Sequence, residues 1–340
     1  MVLHGNMINK FLMVILSLLL FACESEQKKT NPSTTITPKN NTPVKTIVAP
    51  DFNADSAYLY VQQQVDFGPR YPNNKAHAEC AEFLLNKLRS FGLKASIQTG
   101  SAITFNNKNI TLKNIIGEYN PEAKRRILLF AHWDSRPFAD QDTKNMTKPI
   151  LGANDGASGV GVLLEVARQL NIKNPQIGVD IIFFDAEDYG QPSSGMMIES
   201  NMDSWCLGSQ YWAKNLHRPG YKAEYGILLD MVGSANANFT QESLSMSYAP
   251  DVVRKVWNKA AQIGHANYFR NEQTFFVGVD DHKYVSEIAN IPSIDIIHYN
   301  RNTGNFHSSW HTHQDDMSVI NKNTLSAVGE TLLAVIFDEV

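Results

Sequence analysis

The sequence predicts a three-layer α/β domain: a mixed, mostly parallel central sheet with helices on both faces. Three observations lead there. Short apolar runs alternate with amphipathic helical patterns through residues 49–340. Two of the runs, Ile127 to Ala131 and Val179 to Phe184, are almost unbroken, as strands covered on both faces are. Polar, chemistry-bearing residues sit immediately after the runs, where open α/β sheets bind their ligands.

Taken in order, the strands are expected at Ala95 to Gln98, Leu112 to Tyr119, Arg126 to His132, Val179 to Asp185, Tyr225 to Val232, Leu244 to Tyr248 and Ser293 to Tyr299. Helices are expected at Ala54 to Val65, Lys75 to Ser90, Ala157 to Leu170, Ser204 to Asn215, Pro250 to Ile263, Lys283 to Ala289 and Asn323 to Phe337. Several of these carry apolar residues three and four apart, the period of a helix with one buried face. No second linker and no internal repeat divides this region, so it reads as one domain.

The amino terminus is different. Lys10 precedes an apolar run from Phe11 to Ala22, and Cys23 follows at once. The run falls short of the roughly 20 apolar residues a spanning helix needs and suits a secretory leader. Leu20-Phe21-Ala22-Cys23 resembles a bacterial lipobox, so residues 1–22 are expected to be a lipoprotein signal peptide and Cys23 the lipidated residue. Met7 gives a start of more usual length, and a leader cut elsewhere is the plainer alternative. Residues 23–48 are rich in Lys, Thr, Asn and Pro, too polar to offset the entropy of ordering. They read as a tether with a reach of about 25 to 30 Å. The expected location is the cell envelope, with the protein lipid-anchored to a bacterial membrane.

Composition narrows the chemistry. With 43% hydrophobic and 19% charged residues the chain can bury a core, and 30 basic against 34 acidic residues leave no positive field for a nucleic acid. Three cysteines without a C-x-x-C pair make neither a zinc ribbon nor a disulfide framework. Cys80 and Cys206 read as small buried residues. Histidines and carboxylates are left as the metal ligands.

Five places stand out: His132-Trp133-Asp134 after a strand, Asp155 before a glycine-rich helix start, Asp185-Ala186-Glu187-Asp188, Asp230, and Trp310-His311-Thr312. Singly, each has a bland reading as a helix cap, a satisfied histidine or a solvated turn. On one sheet edge together, they suit a catalytic zinc, which keeps an open position for substrate. An adjacent acid pair lets one carboxylate bind metal and the other act as base. There is no G-x-S-x-G, no H-E-x-x-H and no phosphate-binding loop, and Gly159-Val160-Gly161 lacks the third glycine of a dinucleotide fingerprint.

His132-x-Asp134, Asn154-Asp155-Gly156, Glu187-Asp188, Asp230 and His311-Thr312 resemble the ordered ligand series of zinc exopeptidases of the M28 type. Phe67-Gly68-Pro69-Arg70-x-Pro72, Asp280-Asp281-His282 and Trp310-His311-Thr312 with Asp315-Asp316 resemble glutaminyl-peptide cyclotransferases, particularly the membrane-anchored bacterial ones. The likeness runs from about Asp51 to the C-terminus. It implies conversion of an N-terminal glutamine of peptides or proteins to pyroglutamate with release of ammonia. It further implies one zinc per chain on Asp155, Asp188 and His311, and Glu187 as the proton carrier in an acid chain with Asp230 and Asp280. Trp310 and Phe306 would wall the pocket, and a monomer is expected. Asp188 stands where animal cyclases carry Glu, one methylene longer. The alternative is a two-zinc aminopeptidase on His132, Asp155, Asp188, Asp230 and His311. Asp280, where aminopeptidases of this group show Ser, favours the cyclase, and the full set of ligand types disfavours a binding module that has lost catalysis.

Overall fold

The computed structural model describes residues 48–192, 202–275, 277–301 and 303–339. The expected leader, Cys23, nearly all of the tether and most of the loop from Gln191 to Met202 lie outside them. The central sheet takes β1 (Lys94–Ile103), β2 (Asn109–Tyr119), β3 (Arg126–His132), β4 (Gly178–Phe184), β5 (Gly226–Asp230) and β8 (Ser293–Ile297). Its spatial order is β1-β2-β4-β3-β5-β8. β4, β3, β5 and β8 run parallel, and the β1–β2 hairpin joins antiparallel through β2. The expected mixed, mostly parallel sheet is therefore present. β6 (Phe239–Glu242) and β7 (Phe269–Thr274) form a separate two-stranded sheet.

The unbroken apolar runs explain the centre. Every residue of β3 and β4 is buried, and alternate side chains feed two cores. Ile127, Leu129, Ala131, Ile181 and Phe183 face α1 (Ala54–Val65), α3 (Ala157–Lys173) and α8 (Lys322–Asp338), which pack on one another; α2 (Lys75–Ser90) adds Leu84 and Leu88 beside the hairpin. Leu128, Phe130, Ile182 and Phe184 face Trp212 of α4 (Leu207–Lys214) and Val285 of α7 (Asp281–Glu287). α3 lies unusually close to the sheet, because a Cβ on Gly159 would stand 2.3 Å from the Leu229 carbonyl oxygen. That approach holds the start of α3, and Asp155 before it, over the ends of β3 and β5.

Two strand expectations change. Leu244 to Tyr248 is not a strand: residues Ser243–Tyr248 form the short helix α5, because Glu242 accepts backbone N–H groups of Leu244 and Ser245 as its N-cap. A six-residue run of mixed polarity cannot separate the two states by period alone. Neither strand of the second sheet is among those expected: β6 lies outside every expected strand, and β7 is Phe-Arg-Asn-Glu-Gln-Thr, whose four central residues are polar and exposed. α6 (Pro250–Gln262) covers this side, with Trp257 against Phe269. Among the described residues, Cys80 and Cys206 are buried and unpaired.

Just past β8, buried His298 accepts a hydrogen bond at Nδ1 from the Asn238 N–H, 2.8 Å away, which requires a neutral ring. Burial, aided by His307, lowers its pKa from 6.5 to about 4. Between these values the unfolded chain binds a proton that the folded chain refuses. Stability is thus complete above pH about 6.5 and falls as pH drops towards about 4, by up to about 3 kcal/mol for this group. Urea unfolding at pH 7 and pH 4.5 should show a smaller loss for His298→Asn than for the parent protein.

Candidate active site

The parallel strands deliver the polar residues to one edge. β3 ends at His132, β4 leads into Asp185-Ala186-Glu187-Asp188, β5 ends at Asp230, and the turn before α3 carries Asp155. Asp280 is the N-cap of α7, and His311 comes from the loop before α8. Several backbones here are held in the left-handed region that non-glycine residues avoid: Ala186 (φ 52°), Met231 (48°), Cys206 (57°) and His311 itself (55°). Each costs on the order of 1 kcal/mol or more and persists only where surrounding contacts impose it.

Those contacts are visible. The Asp134 carboxylate accepts the N–H groups of Glu187 (3.0 Å) and Asp188 (3.2 Å), closing the turn that aims the acid pair. Asp315 does the same for Asn154 (2.8 Å) and Asp155 (3.0 Å). Gly156 follows at φ 106°, where a Cβ would meet the Asp134 carbonyl at 2.3 Å, so only glycine fits. Arg70, from the Phe67-Gly68-Pro69-Arg70 segment, is fully buried and donates to the carbonyls of Trp133, Leu151 and Gly152. That segment ties together the two loops bearing Asp134 and Asp155.

Asp155, Asp188 and His311 converge: one donor atom from each lies within 4.8 Å of the others, and all three are buried. His311 Nε2 is 3.2 Å from Asp188 Oδ1 and 3.7 Å from Asp155 Oδ2. Among the described residues, Oδ2 of Asp155 and Oδ2 of Asp188 are buried with no hydrogen-bond partner, a costly state for carboxylate oxygens unless a cation takes them. One nitrogen and two carboxylate donors fit a catalytic zinc with an open position. A second group, His132, Asp155 and Asp230, shares Asp155: His132 Nε2 is 3.1 Å from Oδ1 of each carboxylate. Burial opposes charge on His132, but Asp134, Asp155 and Asp230 outweigh it and hold its pKa well above 6.5.

Glu187 stands beside the first group. Donor atoms of Glu187, Asp280 and Cys206 lie within 4.8 Å of one another, and the Cys206 thiol donates to Glu187 Oε1 at 3.2 Å. Burial, then the negative charge of Asp280 and Asp188, drives the Glu187 carboxyl well above its ordinary range against the pull of His132. Burial and Asp230 carry Asp280 up to about 7. Asp295, buried behind Asp280, is raised by burial and by Asp280. Asp230 Oδ1 accepts from His132 Nε2 at 3.1 Å, so within the expected acid chain it is the member turned towards the histidine.

These groups floor a cavity of about 330 Å³. Trp310 stacks on His311 with ring centroids 3.8 Å apart, and Phe306 packs on Trp310 at 4.8 Å; both line the cavity, as the sequence leads one to expect. Sequence reasoning missed Trp205, which also stacks on His311 (5.9 Å, 10°) and lines the cavity. It falls inside the helix expected over Ser204 to Asn215, but that helix starts at Leu207 and leaves Trp205 in the loop before it. Val277, Val279 and Ile297 add apolar lining, and Glu242 and His282 line the cavity as well.

The chain matches the model of peptidase family M28 over residues 114–336. The fold is similar to the crystal structure of Bacteroides thetaiotaomicron glutaminyl cyclase bound to N-acetylhistamine: TM-score 0.83 at 51% identity, over 86% of this chain and 100% of that one. It is similar to a leucine aminopeptidase precursor from the same organism, at TM-score 0.82 and 50% identity over the same shares. A glutaminyl-peptide cyclotransferase of Boiga dendrophila is 24% identical over 253 residues, 67% of this chain. The chain spans 56% to 66% of the length of the first curated relatives it matches. The family match runs from β2 to α8 and takes in Asp155, Glu187, Asp188, Asp230 and His311, and the chain belongs to peptidase family M28.

Proposed function

We propose that this protein is a glutaminyl-peptide cyclotransferase, closing the N-terminal glutamine of a peptide into pyroglutamate and expelling ammonia, with one zinc on Asp155, Asp188 and His311. The observation that carries this reading is the buried pair of Glu187 and Asp280 beside the ligand group, at the floor of a cavity walled by Trp205, Phe306 and Trp310.

In the reaction the α-nitrogen attacks the side-chain amide carbon, the bond to the amide nitrogen breaks, and one proton passes from the first nitrogen to the second. Water is not consumed. The zinc, when bound, supplies Lewis-acid polarisation of the amide oxygen. Glu187 takes the proton from the α-amine and delivers it to the leaving ammonia. Two carboxyls as close as Glu187 and Asp280 do not both ionise, so the pair retains a proton near neutral pH. The two titrate as a pair, one proton between them, and the carboxylate left ionised is the site that receives the α-amine proton at Glu187. Trp310 and Phe306 enclose the glutamine side chain and exclude water, which would otherwise compete as nucleophile.

The second reading is a two-zinc aminopeptidase, favoured by the His132, Asp155 and Asp230 group. In the cyclase reading His132 occupies that place as a cation, its Nε2 held by both carboxylates. The two readings differ in product. Incubated with the enzyme, a Gln-initiated peptide should release ammonia and free no amino acid.

A further inference from the structure

We propose that Arg136 is a positioning residue for the metal, fixing Asp188 directly and His311 through Asp140. The inference rests on Asp155, Asp188 and His311 being the ligands, and holds whichever reaction the site runs.

Arg136 lies four residues beyond His132, fully buried. Its Nε and Nη2 fork onto both oxygens of Asp140 at 2.6 and 3.0 Å. Its Nη1 donates to the Asp188 carbonyl at 2.8 Å and to Asp188 Oδ1 at 3.1 Å. Asp140 Oδ1 in turn stands 3.2 Å from His311 Nδ1, and His311 Nε2 stands 3.2 Å from Asp188 Oδ1. The four side chains close a ring. The guanidinium carbon lies over the Phe138 ring (4.4 Å to its centre) and over the Trp205 ring (4.6 Å), and Trp205 stacks on His311.

This ring decides which atoms remain for the metal. With Oδ1 of Asp188 engaged by Arg136, Oδ2 is left buried and without a partner. Nδ1 of His311 stands 3.2 Å from the Asp140 carboxylate, close but without hydrogen-bond geometry, and that anion beside it favours the proton on Nδ1 and leaves Nε2 towards Asp155 and Asp188. The cation also offsets the charge of Asp140 and Asp188 when no zinc is present. Two other buried arginines work differently: Arg70 donates to backbone carbonyls, and Arg126 pairs with Asp180 in the strands. Lysine could not replace Arg136, because one ammonium cannot fork onto Asp140 and reach Asp188 together.

The test is zinc affinity, measured on zinc-stripped protein by competition with a fluorescent chelator, with unfolding of the stripped protein followed in parallel. Arg136→Lys and Asp140→Asn should each weaken zinc binding about 10- to 100-fold, the usual effect of removing a partner that orients a ligand. His311→Ala is the control for the ligand set. Unchanged affinity in both variants, with only the stripped protein less stable, would make Arg136 a packing residue and overturn the inference. Zinc held normally by His311→Ala would remove the ligand assignment on which it rests. Should Arg136→Lys fail to fold, Asp140→Asn decides alone, since it keeps the side chain's size and one acceptor.

Discussion

Replacing Glu187 by Gln is expected to leave zinc in place and slow turnover by at least about 10²-fold, the lower end of what a positioned acid or base supplies. Gln keeps the length of the side chain and can still accept from the Cys206 thiol, so the Glu187 backbone and the Asp188 ligand should stay where Asp134 holds them. What is lost is the site that receives the α-amine proton. The loss should fall on kcat, because proton transfer occurs after the glutamine is bound. Metal analysis and steady-state kinetics on one preparation check both halves. Zinc lost with full folding, or near-normal kcat, would move the base to another residue.

The second large effect concerns the ligands. Asp188→Ala and His311→Ala each delete one of three protein donors and should abolish both zinc retention and activity. His132→Ala should leave about one zinc per chain, because His132 belongs to the neighbouring group and meets the ligand set only through Asp155. Its removal should instead depress activity by leaving Asp155 and Asp230 buried side by side without the intervening cation. Elemental analysis after exhaustive dialysis reads the outcome. Two zincs in the parent protein, one of them lost with His132, would support the dinuclear reading.

The central strands were legible because their burial is written as unbroken apolar runs, and Arg126 to His132 is found with the expected bounds. Helices with a polar cap before a periodic segment were equally legible: Ala54–Val65 follows Asn53 and Lys75–Ser90 follows Asn74, each accepting a backbone N–H of the first turn. α5, β6 and β7 were not, since each takes its state from a neighbour: Glu242 caps α5, and Phe239 of β6 pairs with Phe269 of β7. At the site, residues that end strands announced themselves by position. Arg136, Asp140 and Trp205 did not, because they lie in loops and reach His311 only through stacking and paired charges made in three dimensions. Asp315 was visible as part of a motif, but its work, accepting the N–H groups of Asn154 and Asp155, requires a contact across 160 residues of chain.

Asp280 is the residue on which the choice between cyclisation and hydrolysis turns, so the most direct measurement is of products. An equimolar mixture of a Gln-initiated and a Leu-initiated peptide, otherwise identical, should be incubated with the zinc-loaded enzyme and followed by mass spectrometry. The expected result is that the Gln peptide loses the mass of one ammonia while the Leu peptide stays intact. Free leucine and a shortened peptide, with the Gln peptide uncyclised, would contradict the cyclase reading and leave the aminopeptidase in its place.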